Sequence, residues 1–266
     1  MDLMNRNQLT GQEQMPHSNK VLISSQTIED KVYNTISTYK IPDYGIAEIA
    51  EHGSRTNGTF RRAYTMMPFE YMNKMSKDFD WSFYPHAEIG KIKEVVNKFI
   101  LGFDKFREAG KGLYICSKSK GSGKTLLSCI LANELLERKS INIKFIAVLD
   151  FIEMTKKGFK SDKAVEDMEN IRNATVLILD DIGVQMSKEW VDSVLYRLIN
   201  HRASNKLVTI FTSNIEADNL KVDERITQRI EKMTIPLYLP EVSVRKQLTE
   251  QENNNFLSNI TCSLES

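Results

Sequence analysis

Residues 112–131 read Gly-Leu-Tyr-Ile-Cys-Ser-Lys-Ser-Lys-Gly-Ser-Gly-Lys-Thr-Leu-Leu-Ser-Cys-Ile-Leu, an apolar run, a glycine-rich turn and a second apolar run. The first run reads as a buried strand and the second as a helix. Between them lies Ser117 to Thr125, ending in Gly-Lys-Thr. Gly121 and Gly123 allow the backbone to curl around an anion, and the helix start aims its free N–H groups at it. Lys124 is long enough to reach β- and γ-phosphates, and the Thr125 hydroxyl can ligate Mg²⁺. The pattern G-x-x-x-x-G-K-[ST] is kept except at its first glycine, where this chain has Lys118. Phosphate cradling there must use another backbone path or a side-chain charge. Residues Lys118, Ser119, Lys120, Gly121, Ser122, Gly123, Lys124, Thr125 and Leu126 are the candidate nucleotide-binding set.

Working outward, apolar strands alternate with helices. Ile89, Ile92, Val95, Val96, Phe99, Ile100 and Phe103 recur at helical spacing before Gly110. Strands are expected at 112–116, 143–149, 175–179, 207–212 and 234–239, with a helix over 150–158 and another through Trp190, Val194, Leu195, Leu198 and Ile199. This predicts an α/β fold with a five-stranded, mainly parallel sheet between helices. Upstream, 1–20 is Gln/Asn-rich and expected to be disordered. Ile28, Val32, Ile36 and Tyr39 at helical spacing predict a helix over 21–40, 52–62 reads as a loop, and the whole N-terminal region is expected to be small and mostly helical. Residues 63–85 carry Tyr64, Phe69, Tyr71, Phe79, Trp81, Phe83 and Tyr84, a cluster that reads as a packing surface against a neighbouring domain. The expected division is 1–85, 86–250 and a flexible tail over 251–266.

Composition bounds the class. The 266 residues are 41% hydrophobic and 27% charged with a formal net charge of +1, so a sizeable core is available and global charge does not announce a nucleic-acid binder. From Lys91 to Lys124 there are nine Lys/Arg against three Asp/Glu; this is either a solvated helix face or a surface facing phosphates. Cys116, Cys129 and Cys262 lack metal-ligand spacing and read as small buried hydrophobes in a reducing compartment. The N-terminus is polar, without a secretory apolar region, and no apolar stretch reaches membrane length. A cytoplasmic protein without membrane contact is expected.

Three further signals join the loop. Val176-Leu177-Ile178-Leu179-Asp180-Asp181 is an apolar strand ending in two acids. Asp180 is placed to hold Mg²⁺ and Asp181 to polarise an attacking water; a second acid favours hydrolysis over phosphoryl transfer to a small molecule, which must exclude water. Thr209-Ile210-Phe211-Thr212-Ser213-Asn214 ends in an asparagine that falls near the γ-phosphate and can orient the water if this strand lies between the first and third, and that otherwise reads as a turn residue. Arg225 and Arg229, four apart, share a helix face. Spacing alone leaves them open between a surface pair, with Glu224 and Glu231 as partners, and an arginine finger for a neighbouring subunit.

In this order the motifs over 88–247 resemble AAA+ ATPases of the DnaC/DnaI replicative helicase loader family, with the IstB transposition ATPases as close relatives. The resemblance implies ATP and Mg²⁺ as cofactors, Arg229 as the arginine finger with Arg225 beside it, and Arg245 as a sensor contact to the nucleotide of its own subunit. It implies slow, assembly-dependent hydrolysis, self-association through the ATP site, a replicative helicase as partner and single-stranded DNA as a second. Arg202 resembles a further arginine of the family, without a role that physics assigns. The N-terminal region has no cysteine cluster and so is not a zinc-binding docking domain; by analogy it still docks the helicase. Lys156, Lys157, Phe159 and Lys160 combine charge with an aromatic ring, as single-strand grips do, and equally read as a solvated helix end. Two other readings stand beside the loader: an IstB-like transposition ATPase acting on duplex DNA, and a nucleotide-binding adaptor that does not hydrolyse.

Overall fold

The computed structural model describes the backbone of strands 21–27, 35–41 and 45–51, residue 62, and residues 64–157, 162–185, 188–251 and 253. The chain forms two compact units, divided between Arg61 and Arg62.

In the first unit, β1 (Val21–Thr27), β2 (Thr35–Ile41) and β3 (Gly45–Glu51) form an antiparallel sheet in the order β1-β2-β3. The helix expected over 21–40 is therefore corrected, and with it the mostly helical character of the N-terminal region. Ile36 and Tyr39 do lie at helical spacing, but Thr35-Ile36-Ser37-Thr38-Tyr39-Lys40-Ile41 is dominated by β-branched and aromatic residues. Their restricted side chains favour the pleated strand. The expected disorder over 1–20, the loop at 52–61, and Ile28 and Val32 fall outside the described residues.

The second unit is built on a five-stranded sheet with β4 (Gly112–Cys116), β5 (Ile143–Ala147), β6 (Val176–Asp180), β7 (Val208–Ser213) and β8 (Thr234–Tyr238) in the order β5-β6-β7-β4-β8. All four ladders are parallel. Around it lie α1 (His86–Leu101), α2 (Phe103–Ala109), α3 (Lys124–Arg138), α4 (Val148–Lys157), α5 (Asp162–Asn173), α6 (Glu189–Ser204) and α7 (Glu224–Met233). The single helix expected over 88–109 breaks at Gly102, and α2 ends at Gly110, whose φ of 65° suits glycine. Helix α5 escapes the sequence reading because its apolar positions are few; Ile171 is its fully buried one.

Period-two alternation distributes the strands between two cores. Leu113 and Ile115 of β4, with Val176, Ile178, Val208 and Ile210, pack under α1 and α3. Tyr114 and Cys116, with Leu177, Leu179 and Phe211, pack under α6 and α7. Phe79 and Tyr84 are buried in the first core, with Tyr71, Trp81 and Phe83 against it. These five aromatics thus belong to the core of this unit. Cys116 and Cys129 are buried, and burial pushes the Cys116 thiol up to about 11; Cys262 lies outside the described residues. Among the described residues no helix is long and apolar enough to cross a membrane.

Arg202 of α6 is fully buried. Its guanidinium donates to the carbonyls of Arg172 (3.0 Å), Ala174 (3.0 Å) and Val208 (2.7 Å) and to Thr209 Oγ1 (2.9 Å). It joins the end of α5, the start of β6 and the start of β7, a fork that lysine's point-like ammonium does not reproduce. Arg202→Met is expected to destabilise the unit by about 3–5 kcal/mol, because the orphaned carbonyls stay buried. Urea unfolding checks this, and a loss below about 1 kcal/mol would show that water replaces the guanidinium.

Candidate nucleotide site

The turn between β4 and α3 takes its shape from two left-handed residues. Gly121 has φ 71° and Gly123, which precedes α3, has φ 83°. A Cβ at Gly121 would stand 2.8 Å from the Cβ of Arg245, and one at Gly123 2.8 Å from the Tyr84 hydroxyl oxygen. Conformation and crowding both require glycine. Lys124 folds back over the turn, its ammonium donating to Ser117 O (3.1 Å), Ser119 O (3.0 Å) and Ser122 Oγ (3.2 Å). Burial lowers its pKa while Asp181 and Asp180 act the other way. The first turn of α3 leaves N–H groups without helical partners.

Because β7 lies between β4 and β6, the ends of all three strands converge on this turn. Asp180 Oδ1 accepts from Thr125 Oγ1 (3.0 Å) and Thr212 Oγ1 (2.6 Å). Thr212 Oγ1 also accepts from the Asp181 N–H (2.9 Å), and Asn214 Nδ2 donates to Asp181 Oδ1 (3.0 Å). Asp181 itself is left-handed, φ 60°, a conformation aspartate tolerates better than most residues. Thr212 was legible within the Thr-Ser-Asn stretch, yet only its position opposite β6 shows that it braces both acids. A cleft of about 640 Å³ is lined by residues 120–126, Asp180, Asp181 and Asn214. Its lining also includes Glu70, Tyr71, Val244, Arg245 and Leu248, of which only Arg245 was expected. The Arg245 N–H donates to Gly121 O (3.0 Å), so the C-terminal segment straps the turn.

The oxygen donors of Thr125, Asp180 and Asp181 are hard ligands and suit Mg²⁺. Among the described residues no group of three or more His, Cys, Asp or Glu could hold a metal ion. Burial raises the Asp180 pKa, opposed by its two threonine hydrogen bonds. A carboxyl raised in the folded state binds more protons there, so stability falls as pH climbs past its unfolded pKa. At neutral pH without divalent ions, Asp180→Asn is therefore expected to raise the melting midpoint. It should also abolish the extra stabilisation of ATP with Mg²⁺ over ATP with EDTA; a retained Mg²⁺ response in thermal melts would remove Asp180 from the metal site.

Other expected residues lie elsewhere. Lys118 does not line the cleft; its ammonium pairs with Glu216 at 3.3 Å, and that carboxylate raises its pKa. Ser119 meets the site through its carbonyl alone. Arg225 and Arg229 are also absent from the cleft lining. Both stack on the Tyr196 ring, at 4.8 and 4.7 Å from its centroid. Arg225 is held by both oxygens of Asp223 (2.9 and 2.7 Å), whereas Arg229 donates to Asn200 Oδ1 (2.7 Å) and Tyr196 Oη (3.0 Å). Lys156 and Lys157 end α4 and line a groove with Leu149, Ile152, Lys188 and Trp190; Phe159 and Lys160 lie outside the described residues.

The family model described as IstB-like ATP binding protein matches residues 28–228. The replicative helicase loader DnaI of Bacillus subtilis is 37% identical over 124 residues, 46% of this chain and 39% of that protein. The replicative helicase loader DnaC of Escherichia coli is 30% identical over 122 residues, 44% of this chain and 49% of that one. The chain thus spans less than half the length of these curated relatives. The crystal structure of DnaI superposes with a TM-score of 0.56 at 26% identity, covering 66% of this chain and 95% of that one. That of the DnaC helicase loader gives 0.58 at 24% identity, covering 65% and 99%, and supports the AAA+ fold.

Proposed function

Since the chain belongs to the family of IstB-like ATP-binding proteins, we propose that it is an ATP-dependent loader that binds a replicative helicase and delivers it onto single-stranded DNA. The observation that carries ATP use is the meeting of Thr125, Asp180, Asp181 and Asn214 at one end of the Lys124 turn. The client is supported by the names of the DnaI and DnaC relatives.

The residues divide the chemistry among them. The Lys124 ammonium leaves its carbonyl partners to meet the phosphates, and the N–H groups of the turn and first helical turn bind their oxygens. Thr125 and Asp180 would hold Mg²⁺, which supplies charge neutralisation across the phosphates when bound. Asp181 orients the attacking water and draws on its proton, while Asn214 holds the carboxylate through Oδ1. Arg245 approaches the phosphates from the same chain. Arg229 reaches the nucleotide of a second copy, so turnover stays slow until subunits assemble. The residues ahead of the ATPase unit dock the helicase, and Lys156 and Lys157 with the following segment contact the single strand.

The family match supports a second reading, an IstB-like transposition ATPase acting on duplex DNA. Affinity capture of partners from the host cell, in ATP and in ADP, tests the choice. Recovery of the replicative helicase in ATP is expected. Recovery of duplex DNA without helicase would favour the transposition reading.

A further inference from the structure

We propose that Tyr84, outside every motif of the site, is the positioning residue that sets the orientation of the Ser122–Gly123 peptide and thereby presents the Gly123 N–H to the β-phosphate of a bound nucleotide. This rests on the reading of the cleft as an ATP site and deepens it.

The geometry begins with one hydrogen bond. The Tyr84 hydroxyl donates to Ser122 O at 2.8 Å. The described chain has no cis peptides, and in a trans peptide the N–H points opposite the C=O. With Ser122 C=O turned toward Tyr84, the Gly123 N–H faces away from it. Gly123 lines the cleft and Tyr84 does not. Without that donor on the far side, the peptide between Ser122 and the flexible Gly123 has little to choose its orientation. Flipped, it would turn a carbonyl oxygen toward phosphate oxygens, a repulsion in place of a hydrogen bond.

The ring is held for this task. Tyr84 is 4% exposed and stacks on Phe79, with centroids 5.6 Å apart and planes within 8°. Phe79 carbons would lie 3.2 Å from a Cβ at Gly123, so the two rings form a wall against which Gly123 lies. A short 3₁₀ turn, Trp81–Phe83, fixes the backbone before it; Asp80 caps that turn by accepting from the Ser82 N–H at 2.9 Å, and the Tyr84 N–H returns to Trp81 O at 3.2 Å. Pro85 follows and α1 begins at His86. Burial, with Asp80 second, pushes the phenol up to about 12, so the hydroxyl remains a donor throughout the neutral range.

The test is Tyr84→Phe in the full chain, which removes one oxygen and keeps the ring stack. Affinities for ATP, ADP and AMP are measured by titration, with the melting midpoint of the nucleotide-free chain alongside. ATP and ADP are expected to bind about five- to tenfold more weakly, the loss of one oriented donor to a charged oxygen. AMP, which lacks the β-phosphate, should change by less than about twofold on the same reasoning. A merely structural role would lower the midpoint and weaken all three ligands alike, and that result overturns the proposal. Unchanged ATP and ADP affinity overturns it while leaving the ATP site intact. A wild-type chain that binds neither ATP nor ADP overturns the nucleotide reading and this one with it.

Discussion

Arg229→Ala is expected to lower ATP turnover by about 10³-fold at concentrations where subunits assemble, while ATP affinity of the isolated chain stays unchanged. The two candidate arginines share a platform, Tyr196, but differ in their partners. Arg225 is neutralised by a two-pronged contact with Asp223. Among the described residues the hydrogen-bond partners of Arg229 are Asn200 Oδ1, Tyr196 Oη and the Arg225 carbonyl, all uncharged. Its guanidinium is therefore oriented without being neutralised, the state required of a cation offered to a phosphate in another subunit. Neither arginine lines the cleft of its own chain, so loss of Arg229 should leave binding alone. Arg225→Ala, which removes a charge that is already paired, should cost less than about tenfold in turnover. Steady-state phosphate release across a range of chain concentrations, with calorimetric ATP binding, separates the outcomes. A fall in ATP affinity of the unassembled Arg229→Ala chain would make this arginine a contact within its own subunit.

Asp181→Asn is expected to reduce turnover by about 10²-fold or more and to leave ATP affinity within about twofold. The side chain keeps its size, and its backbone N–H still reaches Thr212 Oγ1. What is lost is the carboxylate proposed to accept the proton of water. The hydrogen bond from Asn214 becomes amide to amide. Single-turnover hydrolysis of bound ATP measures the chemical step directly. A wild-type chain no faster than Asp181→Asn would establish the adaptor reading, a protein that binds nucleotide without consuming it.

Much of the site was legible because its parts are local. A glycine-rich turn, a lysine and a hydroxyl lie together within 117–125. The acids at the end of β6 and the asparagine after β7 announce themselves through apolar strands that stop abruptly. The five strands of the second unit follow from the same short periods. Helical spacing misled at 21–40, since a few apolar positions every three or four residues also fit strands rich in threonine and isoleucine. Lys118 was visible as an anomaly, but its partner Glu216 lies far along the chain. For the aromatic segment at 64–84, composition reported a packing surface but assigned it to a neighbouring domain, whereas Phe79 and Tyr84 are buried in the first core of the second unit.

By itself, then, the sequence determined the glycine-rich turn with its lysine and threonine and the alternation of strands and helices, because both depend on residues within a few positions of one another. Tertiary structure alone decided what depends on distant segments meeting. It placed β7 between β4 and β6, so that Thr212 braces Asp180 and Asp181 and Asn214 reaches Asp181. It turned Lys118 outward, buried Arg202 among carbonyls and set Tyr84 against Ser122. Each of these is a hydrogen bond or ion pair between elements whose approach is set by the packing of two cores on one sheet, and no local period in the chain encodes that approach.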